Sequence, residues 1–355
     1  MAFLEFKNVR IAGISAGVPS NVIDNMEGGE RFSADYSPAD FIETTGVRER
    51  RWTNSLTTSD LCVPAAEKLI SDLGWDKQEI EALVFVSQTA DYILPATSCI
   101  IQDRLGLSKE CFTLDISLGC SGWVHGLSVV ASLMQNGTVR RALLLAGDAK
   151  PRYNDSDPLF GHAGTATAIE FVEDAEGFMF HFGTDGSGYD AIIIPDGGAR
   201  NGISMHSFDE EVIDGKSYNR LQDRMKGMDV FSFGISTAPK SVKKLAEHNS
   251  FDYLDYDFFV FHQANMKMNN MIAKKLKLDA EKVPSSMAHF GNTSSASIPI
   301  TIVTELKNKL NGHKKFICCG FGVGLSWGTV AFDTDNILIS NLVEVDEEKG
   351  ESKWV

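Results

Sequence analysis

Cys120, His262 and Asn292 are the three residues of this 355-residue chain whose types and settings combine into one chemistry. Cys120 sits in LDISLGCSGWVHGLSVVA, residues 114–131, where an apolar strand runs through a small-residue turn into a helix. A thiol at the first turn of a helix meets unpaired N–H groups and the positive end of the dipole. Both favour thiolate over thiol and make the sulfur a nucleophile. Gly119 and Gly122 flank it. Without a Cβ they let the chain bend sharply and let a substrate carbonyl approach the N–H of Cys120, an oxyanion donor. The competing reading is a buried cysteine packed as a small hydrophobe, the usual state of a lone free cysteine.

His262 closes the very apolar segment FFVFH, so its imidazole emerges at the C-terminal end of a strand, where α/β proteins commonly build sites. Asn292 stands in HFGNTSSAS, between a glycine and small residues that lead into a helix, and its amide can donate to a developing oxyanion. A satisfied core histidine is the competing reading for any single histidine. The pairing of His262 with Cys120 across two matched turns favours a site. His125, His162, His181, His206, His248, His289 and His313 lack such support and are read as structural or surface residues.

Two glycine-rich stretches invite other readings. Residues 320–328, GFGVGLSWG, follow an apolar strand but lack the Lys-Ser/Thr ending and the helix of a phosphate loop. Such a backbone can instead present an N–H toward the sulfur of Cys120. Residues 13–17, GISAG, match the hydrolase nucleophile elbow, but Val18-Pro19-Ser20 follows where a helix must begin.

The elements that position these residues read as α/β. Residues 82–88, 142–147, 258–262 and 316–320 are short apolar runs typical of buried strands. Helical stretches cover 59–73, 95–105, 121–135, 238–248, 265–276 and 294–310. The two halves echo each other: residues 82–107 answer to 258–278, each reading strand, Gln, turn and a helix ending near a Leu, and 113–148 answer to 284–322, each reading strand, small-residue turn, helix, basic turn, apolar strand. Cys120 and Asn292 are then equivalent by pseudo-symmetry. The duplication predicts one half over 1–175, carrying the cysteine, and one over 176–355, carrying the histidine and asparagine. Matched turns meet along the pseudo-twofold axis. Residues 201–224 have no counterpart, and this polar, mostly acidic excursion reads either as a cover over the site or as a solvated loop.

Composition narrows the class: 43% apolar and 23% charged residues describe an ordinary globular protein of about two domains. No long apolar run or basic leader supports a membrane span or a signal peptide, so the cytoplasm is expected. A net charge of −15 argues against a nucleic-acid partner. The six cysteines show no metal-ligand spacing, so no metal is expected and reduced thiols are.

GCSGWVHGLSVV, FHQANMKMNNMIAKKL, HFGNTSSAS and CGFGVGLSWGTV, in this order, together with TGVRER at residues 45–50, resemble β-ketoacyl-acyl-carrier-protein synthase III, a condensing enzyme of the thiolase fold. The resemblance spans nearly the whole chain. It implies a thiolase-like, five-layered αβαβα fold and a homodimer. It implies decarboxylative Claisen condensation of an acyl thioester with a malonyl thioester on an acyl carrier protein. Cys120 is then the acylated nucleophile, and His262 and Asn292 support decarboxylation. The backbone N–H groups of Cys120 and Val323 form the oxyanion hole. No cofactor is implied, since coenzyme A or phosphopantetheine thioesters enter as substrates. Residues 92–94 are implied to reach the partner subunit's pocket, with Leu94 where starter enzymes often carry Phe.

Some positions depart from the pattern. Asp40 and Thr44 stand where the family carries the Trp and Arg that hold adenine, and Lys267 stands where it has Arg. These departures favour a specialised relative in lipid, polysaccharide or secondary-metabolite synthesis over a housekeeping starter enzyme. A same-fold acyltransferase without condensation, a non-catalytic partner subunit and a cysteine hydrolase are the alternatives. Finally, Lys267, Lys274, Lys275 and Lys277 lie on the helix that follows His262, in an otherwise acidic protein. A carrier protein is acidic, and these lysines offer it a landing site beside the tunnel mouth.

Overall fold

The computed structural model describes residues 2–27, 32, 36–150, 157–213 and 216–347. The strands of its two large sheets are β1 (Ala2–Phe6), β2 (Val9–Pro19), β3 (Ala82–Val86), β4 (Phe112–Ile116), β5 (Arg141–Asp148), β6 (Ala163–Phe171), β7 (Phe178–Thr184), β8 (Phe258–Phe261), β9 (His313–Gly322), β10 (Ser326–Asp335), β11 (Leu338–Ile339) and β12 (Val343–Val345). They form two mixed sheets. The first runs β11-β2-β6-β5-β3-β4, with β12 also on β2, and the second runs β1-β7-β10-β9-β8.

Register exposes the duplication. β3 is parallel to β5, β5 antiparallel to β6, and β6 antiparallel to β2. In the second sheet β8 is parallel to β9, β9 antiparallel to β10, and β10 antiparallel to β7. The two four-stranded cores therefore have one topology. The boundary expected at residues 175 and 176 would fall between β6 and β7, but the edges interlock: β1 pairs with β7, and β11 and β12 pair with β2.

Five layers follow from the way side chains alternate. Ala142, Leu144 and Ala146 of β5 join the central core, while Leu143 and Leu145 face outward against α2 (Thr58–Leu73) and α3 (Thr97–Leu105). Phe258 and Val260 of β8 join the same central core, and Phe259 and Phe261 meet α5 (Gly227–Asn249) and α6 (Met266–Leu276) on the far side. α4 (Gly122–Met134) fills the middle layer with the helical segment that begins at Ser294. Because both faces of each sheet are covered, the strands read as continuous apolar runs rather than alternating ones. Truncating Leu144 to Ala in that layer costs about 2–5 kcal/mol.

Three expectations change. The helix foreseen at 238–248 begins at Gly227, because Phe231, Phe233 and Ile235 extend its apolar contact with the second sheet. The helix foreseen over 294–310 is broken into a 3-10 turn (Ser294–Ala296), the α-turn Ser297–Thr301, a π segment (Ile302–Leu306) and a second 3-10 turn (Lys307–Lys309). No strand leads into Asn292; the helical turn Met287–Phe290 does, and Asn292 makes only an isolated parallel bridge with Phe160. The matching of Cys120 with Asn292 thus holds for the turn but not for the elements on either side. The apolar strand expected before Cys120 forms as β4 and lies at the edge of its sheet, with Phe112 45% and Leu114 37% exposed.

The excursion is more structured than a polar loop. Ile192–Ile193 pairs with Arg224–Met225, and Glu211–Ile213 pairs with Lys216–Tyr218. Asp196 is held by Arg220 at 2.9 and 3.0 Å and by Ser207 Oγ at 2.8 Å. Its outer surface carries exposed Ile203, Met205, Phe208 and Val212.

Candidate active site

Cys120 lies in the turn between β4 and α4, two residues before the first helical residue. The helix end does not win there. Burial pushes the thiol up to about 11, opposed by the backbone N–H groups of Val323 and of Cys120 itself; the charge of Asp148 adds to the rise and Lys150 opposes it. A half-buried sulfur loses more hydration as thiolate than two N–H groups return. The expected thiolate is a thiol at neutral pH.

The flanking glycines also serve a different purpose from the one foreseen. Neither has a left-handed φ. A Cβ on Gly119 would fall 2.2 Å from Gln88 Oε1, and one on Gly122 would fall 2.5 Å from Val86 Cγ1. Protein side chains, rather than a substrate, occupy that space. The close approach belongs instead to Gly322 at the end of β9, where a Cβ would sit 2.6 Å from Cys120 Sγ. Val323 keeps a negative φ, and Gly324 takes the demanding value of +139° beside it. Ser121 Oγ and Ser326 Oγ, 2.8 Å apart, pin this loop to the start of α4.

His262 follows β8 and is buried, with its N–H on the carbonyl of Cys319 at 2.9 Å. Nδ1 lies 2.7 Å from Ser297 Oγ, and Ser294 adds a backbone hydrogen bond. Burial lowers the imidazole to about 3, so it is neutral across the physiological range. With Nδ1 engaged, Nε2 is the nitrogen left for chemistry. A hydroxyl both donates and accepts, so Ser297 can serve either tautomer.

Asn292 is fixed through its backbone: its N–H donates to Leu159 at 2.9 Å, and its carbonyl accepts from Gly161 at 3.1 Å. Its Oδ1 accepts the N–H of Ser294 at 2.9 Å. Among the described residues no acceptor takes the Nδ2 hydrogens, so the amide is presented as a donor. Gly161 permits this by passing Phe290, whose carbonyl would lie 2.0 Å from a Cβ there.

The three residues are brought together through shared neighbours. Ser294 touches Gly119 on one side and hydrogen-bonds both Asn292 and His262 on the other. Gly320 and Cys319 link Cys120 to His262 in the same way. Arg50 is buried beneath this loop, with Nη1 3.5 Å from the Phe160 carbonyl and its guanidinium over Trp52. Asp40 does local work: with Ser37 it forms the capping box of α1 (Pro38–Thr45), and Thr44 is exposed on that helix.

Other assigned residues lie around this centre. Lys267, Lys274, Lys275 and Lys277 are exposed on or just after α6, and the Lys275 ammonium donates to the Ile235 carbonyl of α5 at 2.9 Å. Leu94 is 84% exposed and its neighbour Ile93 97%. The excursion meets Lys150 through Asp223 at 3.5 Å, and Asp185, just after β7, exchanges hydrogen bonds of 2.8 and 3.1 Å with Leu325. Residues 13–17 lie inside β2, away from any elbow. Among the described residues no group of His, Cys, Asp or Glu is placed to hold a metal, and no helix is long and apolar enough to cross a membrane. Ser297 and Asp148 escaped the sequence reading; the first hides in a run of small residues, and the second is signalled only as an acid closing an apolar strand.

The chain is similar to known proteins over almost its full length. The family described as 3-Oxoacyl-[acyl-carrier-protein (ACP)] synthase III matches residues 114–186, and its C-terminal part matches residues 246–334. A solved 3-oxoacyl-(acyl-carrier protein) synthase from Burkholderia xenovorans is 39% identical, with a TM-score of 0.89 over 97% of this chain and 99% of that one. The beta-ketoacyl-[acyl-carrier-protein] synthase III of Fusobacterium nucleatum is 31% identical over 91% of this chain and 98% of its own. The chain belongs to the 3-oxoacyl-acyl-carrier-protein synthase III family. As a thiolase-like condensing enzyme of that family, it is an acyltransferase. The solved synthase III from Pseudomonas aeruginosa, 28% identical with a TM-score of 0.79 over 93% of this chain and 99% of that one, shares the same fold.

Proposed function

We propose that this synthase III relative takes an acyl group onto Cys120 and condenses it with a malonyl group carried by an acyl carrier protein, giving a 3-oxoacyl thioester and carbon dioxide. The observation that carries the reading is the tethering of the second-half donors. The Oδ1 of Asn292 and the Nδ1 of His262 are each engaged by the turn that begins at Ser294, which leaves Nδ2 and Nε2 for the substrate.

In the loading step the thiol proton passes to neutral His262 as Sγ attacks the thioester carbonyl. The tetrahedral oxyanion sits on the N–H groups of Cys120 and Val323, and its collapse expels a thiol that recovers the proton. In the second step the bond from the malonyl Cα to its carboxylate breaks and carbon dioxide leaves. The electron pair becomes a thioester enolate, whose oxygen is held by Asn292 and His262. The enolate carbon attacks the acyl carbonyl, and Cys120 leaves as thiolate and takes up one proton. No base is needed to remove a proton from carbon.

The active unit in this reading is a cytoplasmic homodimer. The bare apolar edge of β4 is a template for pairing with a second copy, and Ile93 and Leu94, exposed before α3, reach the partner's pocket in this reading. Six free cysteines suit a reducing compartment. A side chain smaller than Phe at position 94 leaves room for a longer starter. Mass spectrometry of the protein after incubation with coenzyme A and carrier-protein thioesters of rising length tests this. Acyl adducts on Cys120 longer than three carbons, and carbon dioxide release from malonyl carrier protein, are expected. An unmodified Cys120 with every donor overturns the reading.

A further inference from the structure

Behind Cys120 lies a carboxylate that the steps above do not use. Asp148 ends β5, is nearly fully buried, and accepts hydrogen bonds on both oxygens. Oδ1 receives the N–H of Gln88 at 2.8 Å, Ser87 Oγ at 3.1 Å and Thr89 Oγ1 at 3.3 Å. Oδ2 receives Ser295 Oγ at 3.2 Å and the Ser295 N–H at 3.4 Å. The donors come from opposite halves. Residues 87–89 follow β3, whereas Ser295 stands three residues after Asn292 and two before Ser297.

Gly119 is caught between the two segments that this carboxylate ties together. A Cβ there would lie 2.2 Å from Gln88 Oε1 and 3.2 Å from Ser294 Oγ. The turn bearing the nucleophile is thus wedged into a clamp whose jaws are Gln88 and residues 294–295. A negative charge near the sulfur opposes thiolate formation, so a carboxylate here works against acylation. Its structural advantage is that both oxygens accept, whereas an amide in the same place would aim an NH2 group at one jaw.

We propose that Asp148 is a positioning residue that locks the Asn292 turn of the second half against the Cys120 turn of the first and thereby sets the donor geometry for decarboxylation. The inference rests on the condensation reading above. A misplacement of about 1 Å at a donor costs on the order of 100-fold, so the clamp weighs more on decarboxylation than on loading.

The test compares Asp148→Asn and Ser295→Ala with the wild type in three measurements: acyl loading by intact mass, carbon dioxide release from malonyl carrier protein, and the pH profile of Cys120 alkylation by iodoacetamide. Asp148→Asn should lose decarboxylation ~10- to 100-fold, lose much less of its loading, and shift alkylation to lower pH as the nearby charge goes. Ser295→Ala, which opens one jaw and keeps the charge, should slow decarboxylation without moving the alkylation profile. Equal losses of loading and decarboxylation in Asp148→Asn, as a merely structural role would give, overturn the clamp, and so does wild-type decarboxylation in either variant. If Asp148→Asn fails to fold, Ser295→Ala decides alone. A wild-type protein that neither loads nor releases carbon dioxide fails the condensation reading itself, whereas an active wild type with unaffected variants fails only the clamp.

Discussion

In the first half a five-residue strand leads into Cys120 and an unbroken thirteen-residue helix leaves it. In the second half a helical turn leads into Asn292, and the helix that leaves it passes from 3-10 to α to π and back to 3-10. The sheets behind these turns share one topology, so the difference is confined to the ends that meet. A regular helix start keeps its N–H groups aligned, which suits a nucleophile and an oxyanion. A broken one offers single groups at unusual angles: Ser294, at φ +51°, hydrogen-bonds His262, and Ser297 supplies the hydroxyl beside Nδ1. Duplication supplied two equal frames, and irregularity in one of them made room for side-chain donors.

The largest effects should separate the halves. Cys120→Ala is expected to abolish acyl adducts and condensation together, read by intact mass and product formation, because the step has no other thiol in place. Asn292→Ala should load acyl groups at the wild-type level but decarboxylate at least ~100-fold more slowly, the scale for losing one oxyanion donor. Loss of loading in Asn292→Ala would show that the division of labour between halves is wrong.

His262 should couple the halves, and pH exposes how. The thiol is raised to about 11 and the imidazole lowered to about 3, so both partners rest neutral at pH 7 and the proton must move during attack. In His262→Ala the rate of alkylation by iodoacetamide should climb with pH toward the raised thiol value, about tenfold per unit, because only thiolate reacts. The sign follows from an acid whose pKa lies above the assay range. A rate that stays flat between pH 7 and 10 in that variant would mean that the sulfur ionises without help.

Much of this was legible in the residues. Apolar runs bounded by small residues located β3, β5, β8 and β9, because strands covered on both faces leave no polar alternation to confuse with a loop. Cys120 and His262 were legible as candidate residues just past strand ends, whereas the strand expected before Asn292 is a helical turn. The acidity of Cys120 was not, since burial competes with the helix end and burial is a property of distant segments such as Gly322. The roles of Gly119 and Gly122 were misread for the same reason: their neighbours, Gln88 and Val86, come from another strand end. The break after Ser294 was signalled only by Pro299 and by the alternation of Ile298, Ile300 and Ile302, which departs from helical spacing, and the apolar start of α5 carried too few polar signals to mark its cap.

A smaller effect sharpens the role of irregularity in the second half. Ser297→Ala removes the hydroxyl 2.7 Å from Nδ1 of His262 while the ring stays buried. A hydrogen bond of this kind is worth about 0.5–1.5 kcal/mol, so decarboxylation should fall ~3- to 10-fold. Ser297→Thr, which keeps the hydroxyl, should recover part of it. An unchanged rate in Ser297→Ala would mean that the Ser294 backbone alone orients the ring.

The smallest expected effect lies outside the centre, on the face of α6. This helix starts four residues after His262, carries Lys267, Lys274 and Lys275 and no acidic side chain, and is followed directly by Lys277. All three α6 lysines are exposed, but they are not equivalent, because Lys275 spends its ammonium on the Ile235 carbonyl of α5. An acidic carrier approaching a protein of net charge −15 is repelled until it meets such a local positive face, and the attraction acts mainly on encounter. Replacing Lys267 and Lys274 together by Glu should raise the KM for malonyl carrier protein several-fold, more at low salt than at high, with loading from a small thioester unchanged. Lys275→Glu should instead lower thermal stability by loosening α5 from α6, with a weaker effect on KM. Equal losses for the carrier and the small thioester, or a KM change indifferent to salt, would remove α6 as the docking face and leave its lysines as an ordinary solvated surface.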